Sequence, residues 1–321
     1  MSTAISACSI FFRSQAFRLA GLWQAWQGWV LPQRHEVEIE GRCVLLGDHT
    51  HVVKDGGRMP GVVSLRETSE TQSKPTYFRG QCWGALGLLV GSLSGCFCLP
   101  LPLQIHLGLG HLGVDEETAK GAAWSLAERV VQMALALAVG HDRLSLLVLD
   151  AFFAIAPVFR LARSVYAVAS RQPYLQILVR AKKNYVAYFP AAPKSPHRSG
   201  PQTRYGDKMG LMSGFDYLHL LEAVSAEIYG KTETVRLMAA PLLWKPLGDW
   251  VLFIWAITSR GPIVLMCSDL TLSPITALEL YCVRTRIEIY QPYNLHKNHS
   301  MIIDPESDIQ TLTAAYCVSG R

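Results

Sequence analysis

Apolar positions along the chain follow two rhythms. Residues 42–48, 77–90, 97–107, 144–150 and 175–181 are runs that are apolar nearly throughout, as strands covered on both faces are. Gly91, Ser92, Ser94 and Gly95 interrupt the second and third runs and predict a turn between them. Residues 115–140 change to helical spacing. Leu126, Val130, Met133 and Leu137 repeat at three and four, and Asp115, Glu116 and Glu117 sit at the start, where acids complement the helix dipole. Residues 152–170 predict a second helix, punctuated by Arg160 and Arg163. Residues 54–75, polar and carrying Gly56, Gly57 and Pro60, predict a loop. The order is three strands, helix, strand, helix, strand. It predicts an α/β chain with a mixed sheet and helices on its faces.

The later part is strand-rich. Residues 190–206 carry Pro, Ser, Arg and Gly and read as an exposed linker. Strands are predicted over 234–243 and 250–258, joined by the turn Lys245-Pro246-Leu247-Gly248. A last strand over 263–268 precedes a helix opening on Ser273-Pro274, an N-cap followed by proline at the first helical position. No internal repeat is visible.

The chain has 321 residues, half of them hydrophobic and 17% charged. That apolar balance raises a membrane reading. Residues 82–114 are free of charge and long enough to span a bilayer. Pro100, Pro102, Gln104, His106 and His111 break the stretch, so two strands around a turn fit it better. The apolar amino-terminal stretch 7–32 is interrupted by Arg13 and Arg18, which argues against a signal peptide. A formal net charge of +5 suits a polyanionic partner but does not single one out. The eight cysteines show neither zinc-finger spacing nor a disulfide framework, and read as buried thiols.

Candidate chemistry lies at three carboxylates. Two predicted strands end on an aspartate, Asp48 and Asp150, and sites in such sheets form at strand ends. The plainer reading is that each aspartate ends its strand as a turn residue. Tyr281, Arg284 and Glu288, spaced by three and four, share one face of the last helix. An arginine fork beside a carboxylate suits a phosphate-handling metal site; a solvated Arg–Glu pair has the same spacing.

Longer motifs separate these readings. Gly47-Asp48-His49-Thr50 with Val53-Lys54-Asp55-Gly56-Gly57-Arg58-Met59-Pro60-Gly61, continued by Ser73-Lys74-Pro75-Thr76-Tyr77-Phe78-Arg79-Gly80, resembles the first catalytic-aspartate region of bacterial insertion-sequence transposases. Leu147-Val148-Leu149-Asp150-Ala151-Phe152-Phe153 resembles their second aspartate region, and 178–184 the strand that follows. Tyr281-x-x-Arg284-x-x-x-Glu288 is similar to the Tyr-Arg-Glu-Lys signature around the third carboxylate. The resemblance to DDE-type transposases runs from about residue 42 to about residue 289.

That resemblance implies a ribonuclease-H-like mixed sheet flanked by helices, with a β-rich insertion before the last catalytic helix. It implies Asp48, Asp150 and Glu288 as catalytic, metal-binding residues holding two Mg2+ ions, with Mn2+ as substitute. It implies cleavage of double-stranded DNA at transposon ends and joining to target DNA, by a homodimer on DNA in the bacterial cytoplasm, associated with the nucleoid. Tyr281 and Arg284 would contact DNA. Lys182 and Lys183 are either phosphate contacts or a solvated pair.

The chain departs from the pattern after the glutamate. Leu295 stands where the signature has lysine, Lys297 is two places later, and Pro292 lies between. The expectation is a product truncated or frame-shifted at its carboxy terminus. Its parts are an amino-terminal remnant of a DNA-binding region (1–41), a core in two pieces (42–189 and 261–290), the insertion (190–260) and a divergent tail (291–321). Two alternatives stand beside the enzyme: a non-catalytic DNA-binding remnant, and a small integral membrane protein built on 82–114 and 250–257.

Overall fold

The computed structural model describes residues 19–54, 61–66, 75–106, 125–193 and 202–287. The chain runs α1 (Leu19–Val30), β1 (Glu38–Ile39), β2 (Arg42–Val53), β3 (Val63–Arg66), β4 (Tyr77–Ser92), β5 (Gly95–Ile105) and α2 (Leu126–Gly140). There follow β6 (Ser145–Leu149), α3 (Ala156–Ala162), β7 (Leu175–Arg180), β8 (Val186–Pro190), β9 (Tyr205–Gly210) and β10 (Glu222–Ile228). The last elements are β11 (Lys231–Trp244), β12 (Asp249–Thr258), β13 (Gly261–Cys267) and α4 (Pro274–Val283).

All strands join one mixed sheet, in the order β3-β4-β2-β6-β7-β13-β12-β11-β8-β9. In addition β1 pairs with β2, β5 with β4 and β10 with β11. β2, β6 and β7 are parallel neighbours; the remaining pairings are antiparallel. The strands of the 190–260 stretch therefore continue the sheet begun by the first half of the chain.

The strict alternation of a strand decides what lies on each face. Leu45, Leu147, Leu149, Ile177 and Val179 point to one side and pack with α2 and α3, through Val130, Met133, Ala134 and Phe159. Val44, Leu46, Leu146, Val148 and Leu178 point to the other side and pack with α4, through Ala277, Leu278, Tyr281 and Cys282. Both faces are covered, which is why the central runs lack alternation in sequence. Each such side chain contributes about 1.5–3 kcal/mol on burial.

The structure corrects several predicted boundaries. The helix expected over 115–140 begins, among the described residues, at Leu126. Ser125 caps it, and Ser125 and Glu128 bond each other's backbone N–H reciprocally. Asp115, Glu116 and Glu117 lie outside the described residues. The helix expected over 152–170 is a 3-10 turn, Ala151–Phe153, followed by the short α3. Extended Ile155 separates the two, and Pro157 in the first turn sets the new start. After α3 the chain doubles back, with Tyr166 bridged to Pro173. The stretch expected to be a loop over 54–75 contains β3, which pairs with the first residues of β4. The linker expected over 190–206 carries β9 at its end, and its residues 194–201 lie outside the described ones.

Among the described residues no helix is long and apolar enough to cross a membrane. Residues 82–105 are the hairpin β4–β5, and 250–257 lie within β12. Six described cysteines are free thiols, five of them buried.

Candidate active site at the ends of the parallel strands

The last paired residues of β2 and β6 include Leu46 and Val148. Two positions further stand Asp48 and Asp150; Asp150 lies just past the end of β6, whereas β2 does not end on Asp48 as expected but runs on to Val53, held by its antiparallel pairing with β4. By alternation both side chains fall on the face of Leu46 and Val148, the face covered by α4. Adjacent strands lie about 4.8 Å apart, so the register makes the two aspartates neighbours. On β7, Leu178 belongs to the same face, and Arg180 follows it by two.

The last helix supplies the other wall. Pro274 at its first turn presets the backbone for a helix start. Tyr281, buried at 8% exposure, and Arg284 stand at its end. Arg284 Nη1 lies 3.4 Å from Asp48 Oδ2, with about one-eighth of each side chain exposed. The Arg284 guanidinium is also 6.0 Å from the Tyr281 ring centre. Burial raises the Tyr281 hydroxyl pKa, while Arg284 and Arg180 pull it down and Asp150 pushes it up. Tyr281 is thus coupled electrostatically to Asp150, Arg180 and Arg284.

Local bonds orient the aspartates. Asp48 Oδ1 accepts the backbone N–H of His49 at 2.8 Å. Asp150 caps the 3-10 turn after β6, accepting the N–H of Phe152 at 2.9 Å. The turn-residue reading of Asp150 is thus correct as far as it goes, and the same side chain still faces the site.

Four of the residues singled out from sequence converge here: Asp48, Asp150, Tyr281 and Arg284. Glu288 lies outside the described residues. Lys182 and Lys183 follow β7 directly, past Arg180, at the same end of the parallel strands. Lys182 Nζ stands 6.0 Å over the Tyr185 ring, and Lys183 is exposed. Arg180 was not foreseen as a site residue. Its signal was available in its spacing of two from Leu178 on a strand ending beside Asp150.

The donor chemistry suits a hard divalent cation, since carboxylate oxygens are the ligands magnesium takes. Two of the three expected ligands are placed together by the described residues. Arg284 pairs with Asp48, and Arg180 adds a second cation coupled to Tyr281.

No protein-family model matches the chain, and no curated protein is significantly similar to it. Among solved structures, the chain is similar to the crystal structure of the NurA nuclease from Sulfolobus solfataricus, at 10% identity and a TM-score of 0.32, over 88% of this chain and 87% of that one. A likeness that weak assigns neither fold nor activity, so the functional reading rests on this chain's own residues.

Proposed function

We propose that the chain is a metal-dependent DNA strand-cleaving and strand-transferring enzyme of the DDE transposase type. The carrying observation is that Asp48, within β2, and Asp150, just past the end of β6, each stand two residues beyond the parallel pair Leu46 and Val148, with Arg284 paired to Asp48 and Tyr281 electrostatically coupled to Asp150. The sheet supports a ribonuclease-H-like core. The antiparallel strands β2, β4 and β5 are followed, past a helix, by β6 and β7 parallel to β2.

Asp48 and Asp150, with Glu288 as third ligand, would hold two magnesium ions. When bound, such a pair supplies Lewis-acid stabilisation of the attacking and leaving oxygens of an in-line phosphodiester displacement. The protein's own groups do the rest. Arg284 holds Asp48 in place and presents a cation to a phosphate oxygen. Arg180 adds a second cation beside Tyr281. Lys182 and Lys183 neutralise the DNA backbone without reading its sequence. Hydrophobic packing beneath the site fixes the strand ends, so the carboxylates are positioned before DNA arrives. Double-stranded DNA is the substrate in this reading, and two transposon ends call for two protomers.

The deciding experiment is nicking of supercoiled plasmid with manganese, wild type against Asp150→Asn. Nicking that disappears in the variant supports the reading. Folded protein that binds DNA in a salt-sensitive manner but nicks nothing would replace it with the non-catalytic binding role.

A further inference from the structure

On the opposite face of the sheet from the aspartates, three potential metal ligands come together. His49 on β2, Cys82 on β4 and His106 just past β5 have ligand atoms all within 4.8 Å of one another. We propose that they form a binding site for a borderline-soft divalent cation of the zinc class, which staples β2, β4 and β5 beside the carboxylate site.

His49 Nε2 and His106 Nδ1 share a hydrogen bond at 3.2 Å, a separation a shared ion would also impose once it replaces that proton. Two nitrogens bound to one tetrahedral zinc at 2.0–2.1 Å stand about 3.3 Å apart. A sulfur bonded at 2.3 Å would lie roughly 3.6 Å from each nitrogen, a small side-chain adjustment from the present arrangement. Three protein ligands leave a fourth position for water.

The surroundings are built around the rings. Gly84 pairs directly with His49 across β2 and β4. A Cβ there would come within 2.4 Å of His106 Cε1 and 2.6 Å of its Nε2, so glycine provides the space in which His106 lies. The His49 ring is anchored to the backbone of Leu126, the first residue of α2. Backbone anchoring of the second ring nitrogen is the usual way a ligating histidine is oriented. Phe153 stacks on His49 with ring centres 5.0 Å apart, and Phe152 meets it edge-on at 5.5 Å. Cys82 and His106 are 1% and 2% exposed, and His106 Nε2 has no hydrogen-bond partner. That nitrogen is the one turned toward Gly84, while Nδ1 faces His49; two buried imidazoles and a thiol gathered in this way make a poor core and a good ligand set.

Burial holds both imidazoles neutral, with pKa values lowered to about 3. Burial pushes the Cys82 thiol up to about 12, and Arg129 beside it pulls the other way. As the sulfur–metal bond forms, the thiol proton leaves to solvent, one per ion. Imidazole and thiolate select against magnesium, whereas the carboxylates select for it. His49 follows Asp48 directly, so consecutive residues of β2 would serve two different metals on two faces.

The test uses the full chain and cobalt(II) as probe. One equivalent of cobalt should give the intense visible bands of a tetrahedral site and a sulfur-to-cobalt charge-transfer band. Zinc should displace it, and excess magnesium should not. Cys82→Ser should lose the charge-transfer band and weaken binding by more than the roughly 100-fold that losing an outer partner costs. Asp150→Asn should leave the spectrum unchanged. Folded wild-type protein showing no charge-transfer band would overturn the proposal without recourse to any variant, and so would a band that survives Cys82→Ser or vanishes in Asp150→Asn.

Discussion

Asp48 and Asp150 each stand two residues beyond the parallel pair Leu46 and Val148, Asp48 within β2 and Asp150 just past the end of β6. Their local roles differ. Asp48 meets a guanidinium, whereas Asp150 caps the turn that follows its strand. That difference separates catalytic from structural effects of mutation. Asn keeps the oxygen that accepts from Phe152, so Asp150→Asn should change stability by no more than about 0.5 kcal/mol. Asp150→Ala removes the cap and should cost about 1 kcal/mol. Both should abolish manganese-dependent nicking. Urea melts and plasmid assays on the two variants give the four values needed. A fully active Asp150→Asn would remove Asp150 from the catalytic set.

Arg284 links the last helix to the first parallel strand through Asp48. A buried pair that loses one partner leaves an uncompensated charge, which costs 3–5 kcal/mol when burial is complete. This pair is one-eighth exposed and long at 3.4 Å, so Arg284→Met should cost about 1–3 kcal/mol. The double variant with Asp48→Asn should lose less than the sum of the singles, because the pair is coupled. Divalent metal should restore part of the stability of Arg284→Met by replacing the missing positive charge beside Asp48. Additive losses in urea melts would mean the two side chains do not interact in solution.

Part of the candidate site is legible in the sequence, because its determinants are local. An apolar run ending on a carboxylate marks Asp150, and Ser273-Pro274 marks the start of the last helix, whereas β2 runs past Asp48 to Val53. What was missed depends on partners distant in sequence or on weak local patterns. Arg180 matters only because β7 lies beside β6. His49 and His106 meet only because β2 and β5 flank β4. β9 and β10 are mostly half-buried or exposed, so their sequences lack an apolar run to announce them. The true start of α2 was present as Ser125-x-x-Glu128, but the acids at 115–117 drew the boundary earlier.

Ser268 ties β13 to β7 through a buried network. Its hydroxyl accepts the N–H of Ile177 at 2.8 Å and donates to Gln176 Oε1, while its carbonyl accepts from Arg163 Nη2 at 2.7 Å. Ser268→Ala leaves an amide donor and an amide oxygen without their buried partner. Each unmet group costs about 1–3 kcal/mol, so the expected loss for the two is about 2–6 kcal/mol, measured by urea denaturation. β7 carries Arg180, so the variant should also lower nicking activity while wild-type-like metal binding by cobalt persists. A loss below about 0.5 kcal/mol would show that water replaces the hydroxyl.

Gly84 offers the most direct test of how closely the histidine cluster is packed. A methyl group there would overlap the His106 ring, and its next contact is Val130 of α2 at 3.1 Å. The neighbouring backbone pairs with β2 on one side and β5 on the other, so neither strand can give way easily. Gly84→Ala should therefore cost about 1–3 kcal/mol, the range for overpacking a well-filled core. It should also displace His106 and weaken the cobalt spectrum, although no ligand has been removed. Gly248→Ala provides the contrast: that glycine sits in the β11–β12 turn at φ +75° with open space around its Cβ position. Its strain should lower stability and leave cobalt binding intact. Equal cobalt affinity in the two variants, both folded by circular dichroism, would mean that His106 has room to move and that Gly84 does not shape the site.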